Sequence, residues 1–306
     1  MYHIIEVPEE APDSTEQLGS KPKFWFSDAG GQRFLFKQGR SGTGENWAEK
    51  IAAEICTFLQ IPHASYDLAV WRGLQGVVSP RFVPEGARLI FGNELLARVV
   101  KGYEGETRYY QQTGHTVARV FAVLRDPRIQ APAGWQASDA INTASDVFIG
   151  YLLLDALIGN TDRHHENWGL LLRPGPDGLG RELAPTFDHA SSLGRNEPDE
   201  RRTARLVSRD RAYSVAGYAQ RARSAFYKAP TDTRPLSTFD ALAEASKLRP
   251  RAALEWIHRL EGVRDVHIRS IVEEVPPAYI TPPAREFAYR FLLAAKNMIT
   301  QMKGAK

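Results

Sequence analysis

The feature that most constrains this chain is an almost wholly apolar run, VFIGYLLL at residues 147–154, that leads directly into DALIGNTDRHHENWG at 155–169. The run is well short of the roughly 18–20 apolar residues of a membrane span, and its length suits a helix buried on most sides. Gly159-Asn160 marks where that helix stops. Asp162, Arg163, His164, His165, Glu166 and Asn167 then follow one another directly behind a buried element. Polar groups held that close to a core are costly unless they are satisfied or used. An apolar strand begins at Trp168, and RPGPDG at 173–178 is a strong turn signal, so 169–172 and 182–185 are expected to pair as a hairpin. That hairpin returns Thr186-Phe187-Asp188-His189 beside the loop it began from, and brings Asp162, Asn167 and Asp188 to one end of a short ribbon.

The N-terminal part reads differently. Residues 1–16 carry Pro8, Pro12 and several acids, an irregular leader with one short strand. Residues 24–27 and 33–37 are aromatic-rich strands joined by Asp28-Ala29-Gly30-Gly31, turn residues that tolerate positive φ, the pattern of a β-hairpin. Over 45–60, Trp47, Ile51, Ile55, Phe58 and Leu59 recur at three- and four-residue steps, an amphipathic helix set off by SGTG at 41–44 and ended by Pro62. Strands at 66–72 and 76–83 complete a small antiparallel sheet beside this helix. The chain leaves it through SPRFVPEG at 79–86.

From there helical patterns dominate: 89–100, 116–126, the buried run with an N-cap at Ser138-Asp139, a helix or two within the polar stretch 191–227, and four segments after 236. The expected architecture is α+β and bilobal. A β-rich lobe spans 1–83 and a larger, mainly helical lobe spans 84–306; a chain of this length can form one large domain or two lobes, each with its own core.

With 43% hydrophobic and 25% charged residues among 306, the composition is that of an ordinary globular chain. A net charge of +3 suits anionic ligands but does not call for direct nucleic-acid binding. The arginines at 201, 202, 205, 209 and 211 are interrupted by acids and read as a solvated face. The N-terminus lacks a basic region followed by an apolar one, so no secretory signal is expected. The single cysteine, Cys56, lies in the apolar helical pattern, as suits a buried thiol in a reducing cytoplasm. Export by a route without a signal peptide stays open.

Several features of the first lobe suit an anionic nucleotide. In Gly19-Ser20-Lys21-Pro22-Lys23 the glycine admits close approach of phosphate oxygens and the lysines add charge, without the spacing of a Walker A loop. Lys37 ends the strand FLFK, and Glu45, Glu49 or Glu54 on the next helix can hold it, as a strand lysine and helix glutamate pair in protein kinases. Ser79, Arg81, Phe82 and Val83, at the crossing between lobes, present strand-end amide and carbonyl groups to an adenine edge. In the second lobe, Asp162 and Asn167 have the D-x-x-x-x-N spacing of a kinase catalytic loop, where the Asp orients a hydroxyl and the Asn binds Mg²⁺. Asp188 then takes the second metal-binding position. Mg²⁺ needs few protein oxygens when phosphates and water complete its shell.

Over these residues the chain resembles the HipA-like serine/threonine kinases, of the HipA, HipT and CtkA type, from about residue 17 to the end. GNTDRHHENWG is similar to that family's G-N-x-D-R-H-x-x-N catalytic loop, at Gly159, Asn160, Asp162, Arg163, His164 and Asn167. TFDHASSLG resembles its metal-binding segment, with Asp188 at the Asp and no DFG glycine. GSKPK resembles its phosphate-binding loop at Gly19, Ser20 and Lys23, and SPRFV its hinge. The helix at 49–61 aligns with the family's glutamate-bearing helix, which favours Glu49 as the partner of Lys37.

The resemblance implies ATP and Mg²⁺ as cofactors and transfer of the γ-phosphoryl group to a Ser or Thr hydroxyl of a protein. Asp162, Lys37 and Glu49 would be catalytic, Asn167 and Asp188 would hold metal, and Arg163 and His164 would brace the loop. It also implies autophosphorylation at Ser20, which would expel the phosphate loop by charge repulsion, and a role as a toxin with an antitoxin partner. Three other readings compete. One is a small-molecule or lipid kinase of the same fold. Another is a metal-dependent hydrolase built on Asp162, His164, His165, Glu166 and Asp188, although that spacing matches no zinc motif. The third is a module that binds nucleotide without transferring phosphate.

Overall fold

The computed structural model describes residues 1–12, 14–15, 22–105, 111–175 and 178–304. Strands β1 (Ile4–Val7), β2 (Ser14–Thr15), β3 (Lys23–Ser27), β4 (Arg33–Gln38), β5 (Asp67–Trp71) and β6 (Leu74–Pro80) form one sheet in the order β1-β5-β6-β4-β3-β2. The expected hairpin β3–β4 pairs Lys23 with Lys37 at one end and Ser27 with Arg33 at the other. Its turn is held by Asp28, whose Oδ1 accepts the N–H groups of Gly30 and Gln32 at 2.9 and 2.8 Å. The sheet is not wholly antiparallel: β1 runs parallel to β5, as an edge strand. Helix α1 (Glu45–Leu59) packs against β5 and β6. Leu68 and Val77 join α1 in the main core, whereas Ala69 and Val78 alternate onto the other face with Phe24, Phe26 and Phe36.

Residues 89–91, read from the sequence as the start of a helix over 89–100, instead belong to β7 (Arg88–Phe91), and α2 (Gly92–Val99) starts after them. Next come α3 (Val117–Leu124), β8 (Ile129–Gln130), α4 (Ala144–Ile158), β9 (Gly169–Gly175) and β10 (Gly178–Leu183). The predicted hairpin β9–β10 is present and is flanked by β7 and β8 in a second sheet, order β7-β9-β10-β8. The strand at 88–91 became visible only through its partner. Gly169 lets β7 and β9 approach so closely that a Cβ there would lie 2.2 Å from the Ile90 carbonyl oxygen.

Every residue of α4 is buried. It starts later than the expected cap at Ser138-Asp139. Thr143 and Asp146 form a capping box, with Asp146 N–H donating to Thr143 Oγ1 at 3.2 Å and Thr143 N–H to Asp146 Oδ2 at 3.0 Å. The helix stops at Gly159, whose φ of 62° is left-handed. The remaining helices are α5 (Asp199–Val207), α6 (Val215–Gln220), α7 (Thr238–Leu248), α8 (Pro250–Gly262), α9 (Asp265–Glu273) and α10 (Pro282–Gln301); α7, α8 and α10 pack on α4, and α5, α6 and α9 on α10.

The lobes meet in one large cluster, beside a smaller one confined to the first sheet. Trp47, Ile51, Ile55, Cys56 and Leu59 of α1 belong to the same buried cluster as α4 and α7–α10. Helix α1 touches α4 and α9 as well as the sheet, because its apolar surface is wider than the strands can cover. Among the described residues, no helix is long and apolar enough to cross a membrane.

Candidate active site

Arg163 ties the loop after α4 together. Its guanidinium is fully buried and meets Asp155, in the last turn of α4, through two parallel bonds of 2.9 and 2.8 Å. Its remaining nitrogen, Nη1, donates to the Asn167 carbonyl at 2.8 Å and reaches the Phe187 carbonyl at 3.4 Å. One side chain therefore joins the helix end, the loop and the segment that carries Asp188. Asn160 completes this base: its amide donates to Asp155 Oδ1 at 2.8 Å, and its Oδ1 accepts the Asp162 N–H at 3.0 Å.

Above that base, Asp162 presents a half-exposed carboxylate. Ser191 Oγ donates to Asp162 Oδ2 at 3.1 Å, and His164 Nε2 lies 3.8 Å from Asp162 Oδ1. Burial pushes the His164 pKa down to about 4, although Asp188 pulls it the other way, so the ring is neutral at pH 7. Its Nδ1 accepts the Glu166 N–H at 3.2 Å, which puts the ring proton on Nε2, facing Asp162. The Asn167 side chain donates from Nδ2 to the Asp162 carbonyl at 2.7 Å, so Oδ1 is the atom it offers to a cation.

Asp188 approaches from β10 in a left-handed backbone conformation, φ 58°, which Asp tolerates better than most residues. Its N–H donates to the Tyr66 hydroxyl at 3.2 Å. Lys37 arrives from the first lobe, with Nζ 3.6 Å from Asp188 Oδ1 and 5.2 Å from the centre of the Tyr66 ring. Burial alone would lower the Lys37 pKa, but Asp188, Tyr66 and Glu49 together carry it above the usual lysine range.

The expected Lys37–Glu49 ion pair is not the one formed. Among the described residues, Lys37 is ion-paired with Asp188. Glu49 accepts the His189 N–H at 2.6 Å and lies 3.5 Å from its Nδ1. Both Glu49 and His189 are fully buried, so Glu49 grips the backbone next to Asp188 rather than the lysine. Glu45 and Glu54, the other helix acids, pair with Arg195 and Lys50.

Of the segment expected to bind phosphate, Gly19 and Ser20 lie outside the described residues. Lys23 stands directly opposite Lys37 across β3–β4, so the two side chains leave the same face of the sheet. At the crossing between lobes, Ser79 is buried in the ladder opposite Leu35, and the Arg81 N–H is taken by the Arg33 carbonyl at 2.8 Å. Phe82 stacks on Phe187 with ring centres 5.5 Å apart, which ties the crossing to the residue before Asp188. Val83 follows, half-buried against the main core. Sequence reasoning missed Ser191, Tyr66 and His189. Ser191, three residues past Asp188, carries no periodic signal, and Tyr66 reads as a strand residue.

The donor set fits Mg²⁺. Asn167 and Asp188 offer an amide and a carboxylate oxygen, hard donors in the small number that ion takes from a protein. The hydrolase arrangement is not formed. His165 is fully buried with its Nδ1 2.7 Å from the Tyr103 hydroxyl, and no group of three or more His, Cys, Asp or Glu is placed to hold a metal among the described residues.

The fold has known counterparts. The Helicobacter pylori proinflammatory kinase CtkA superposes with a TM-score of 0.75 at 18% identity, over 99% of this chain and 98% of that one. HipA of Shewanella oneidensis MR-1, solved with HipB and operator DNA, gives 0.58 at 13% identity, over 96% of this chain and 67% of that one. At such identities the likeness is one of fold: a bilobal kinase-like architecture with a β-rich first lobe and a helical second. No curated protein sequence matches the chain. The family model for the HipA-like C-terminal domain matches residues 17–266, and the chain belongs to that family.

Proposed function

We propose that this protein is an ATP- and Mg²⁺-dependent kinase that phosphorylates Ser or Thr hydroxyls of proteins, with a nucleotide-binding lobe at 1–83 and a catalytic lobe at 84–306. The observation that carries the reading is convergence. Lys37 of the first lobe reaches Asp188 of the second at 3.6 Å, beside a loop whose Asn167 and Asp162 are joined by a 2.7 Å bond. When bound, ATP supplies the phosphoryl group and Mg²⁺ offsets its negative charge. Asp162 orients the acceptor hydroxyl and takes its proton; Ser191 and neutral His164 keep its two oxygens in place. Asn167 and Asp188 hold the cation. Lys37 and Lys23 bind the nucleotide phosphates, while Glu49, through the His189 N–H, positions Asp188.

A cytoplasmic toxin with an antitoxin partner, autophosphorylating at Ser20, is the finer form of this proposal. HipA of Shewanella oneidensis forms a complex with HipB, which supports looking for a partner here. Asp162→Ala should cut phosphate transfer from labelled ATP by ~10²–10⁴-fold, the usual contribution of a positioned base, while nucleotide still raises the melting temperature. Full activity in that variant rejects the assignment. Phosphoproteomics after expression of the active and Asp162→Ala forms identifies the acceptor; labelled lipid or metabolite without protein sites favours the small-molecule alternative. Intact mass after ATP incubation should show one phosphate fewer in Ser20→Ala.

A further inference from the structure

On the helical lobe, between α6, α7, α8 and the end of α10, lies a cavity of about 880 Å³, within the size range of ligand cavities. Phe239, Leu254, Met298 and Met302 give it an apolar lining, and Leu254 keeps 45% of its surface exposed there. Two methionines make such a lining adaptable. Its charge is one-sided. Arg221, Arg223, Lys247 and Lys303 line it against one carboxylate, Asp240, which accepts from Ser237. Lys247 and Lys303 are paired with Glu244 and Glu261. Arg221 and Arg223 donate to the neutral carbonyls of Ala212 and Pro235, and neither has an ion pair among the described residues.

Two uncompensated guanidinium groups beside an apolar floor suit a ligand that is both anionic and apolar. The wall that carries them also abuts the chemistry. A Cβ on Gly159 would lie 3.4 Å from the Ala222 Cβ, and Gly159 is three residues before Asp162. Thr238 N–H donates to the Ala222 carbonyl at 3.0 Å, joining that wall to α7.

We propose that this cavity docks an acidic, amphipathic helical segment of the proteins the kinase phosphorylates, apolar face down and acidic flank against Arg221 and Arg223. The fate of what binds rests on the kinase reading; the binding itself does not. The test uses the full chain and two fluorescein-labelled helical peptides with one leucine face, flanked by Glu in one and by Lys in the other. Anisotropy without ATP should show the Glu peptide binding about tenfold more tightly, with the preference reversed in the Arg221→Glu/Arg223→Glu protein. A benzophenone on the leucine face should crosslink to Leu254, Met298 or Met302 of the unaltered protein, a readout that does not depend on a variant folding. Equal binding of the two peptides, crosslinks elsewhere, or undiminished Glu-peptide binding by the folded charge-reversed variant overturns the proposal. So does self-association that the charge reversal abolishes, which would assign the face to a second copy of the chain.

Joining the Glu segment to a Ser-containing peptide should lower KM about tenfold at constant kcat, and only with Arg221 and Arg223 in place. If the peptides bind as expected and no phosphate is transferred, the groove stands and the kinase reading fails.

Discussion

Arg163 spends its whole guanidinium inside the protein, on Asp155 and on the Asn167 and Phe187 carbonyls. Removing either partner of such a pair strands the other as a buried charge, which costs about 3–5 kcal/mol. Arg163→Ala and Asp155→Ala should each lose stability on that scale in urea denaturation, and a loss below about 1 kcal/mol would show that the site relaxes or hydrates instead. A second residue-scale effect follows from His115. It accepts the Trp168 indole N–H at Nε2 and faces the Ala225 carbonyl with Nδ1, and burial pushes its pKa from the ordinary 6.5 down to about 3. Below pH 6.5 the unfolded chain takes up a proton that the folded one refuses. Stability from this group is therefore complete above pH 6.5 and drains away as pH falls toward 3, by up to about 1.4 kcal/mol per pH unit. His115→Gln, which cannot titrate, should flatten that decline between pH 6.5 and 4. An equally steep decline in the variant counts against the assignment. His164 and His165, pushed down to about 4, act in the same direction.

At the scale of elements, α4 positions the site because both of its ends are specified. The Thr143–Asp146 box starts it, and Gly159 turns the chain sharply into the loop. Gly159 is constrained twice, since its φ is left-handed and a Cβ would lie 2.4 Å from Phe291 Cζ. Gly159→Ala should therefore cost about 2–4 kcal/mol, combining the left-handed penalty with overpacking. It should also lower activity more than an equally destabilising change in α8, comparing variants at matched folded fractions. The stop of α4 and the existence of the β9–β10 hairpin were legible because a Gly-Asn stop and a Pro-Gly turn are local signals, whereas the start of α4 was expected at Ser138-Asp139 and lies at Thr143. β7 was not legible, because four residues of mixed polarity become a strand only when β9 is there to pair with them.

At the scale of the molecule, the lobes share a core. Helix α1 is buried against α4 and α9 as well as its own sheet, and one cluster runs from Trp47 to Ile299. Unfolding the first lobe would expose that shared surface, so the two lobes should melt together. Urea transitions followed by far-ultraviolet circular dichroism and by tryptophan fluorescence should coincide. Two separated transitions would mean that α1 is held more loosely than its burial indicates.

The kinase-like architecture followed from the resemblance to a kinase family. By itself the sequence determined the loop with Asp162 and Asn167 and the return of Asp188 through a hairpin. Each of these is written in spacing, periodicity or turn chemistry over a few neighbouring residues. Only the tertiary structure decided the pairing of the charges. Lys37 was expected to meet Glu49 on the strength of the resemblance to a family's glutamate-bearing helix, but Glu49 lies fully buried, where the His189 N–H is the donor within reach. Lys37 is left to Asp188, while Ser191 donates to one Asp162 oxygen and His164 Nε2 lies 3.8 Å from the other. A chain announces which groups it carries; which of them meet depends on burial and distance between segments more than a hundred residues apart.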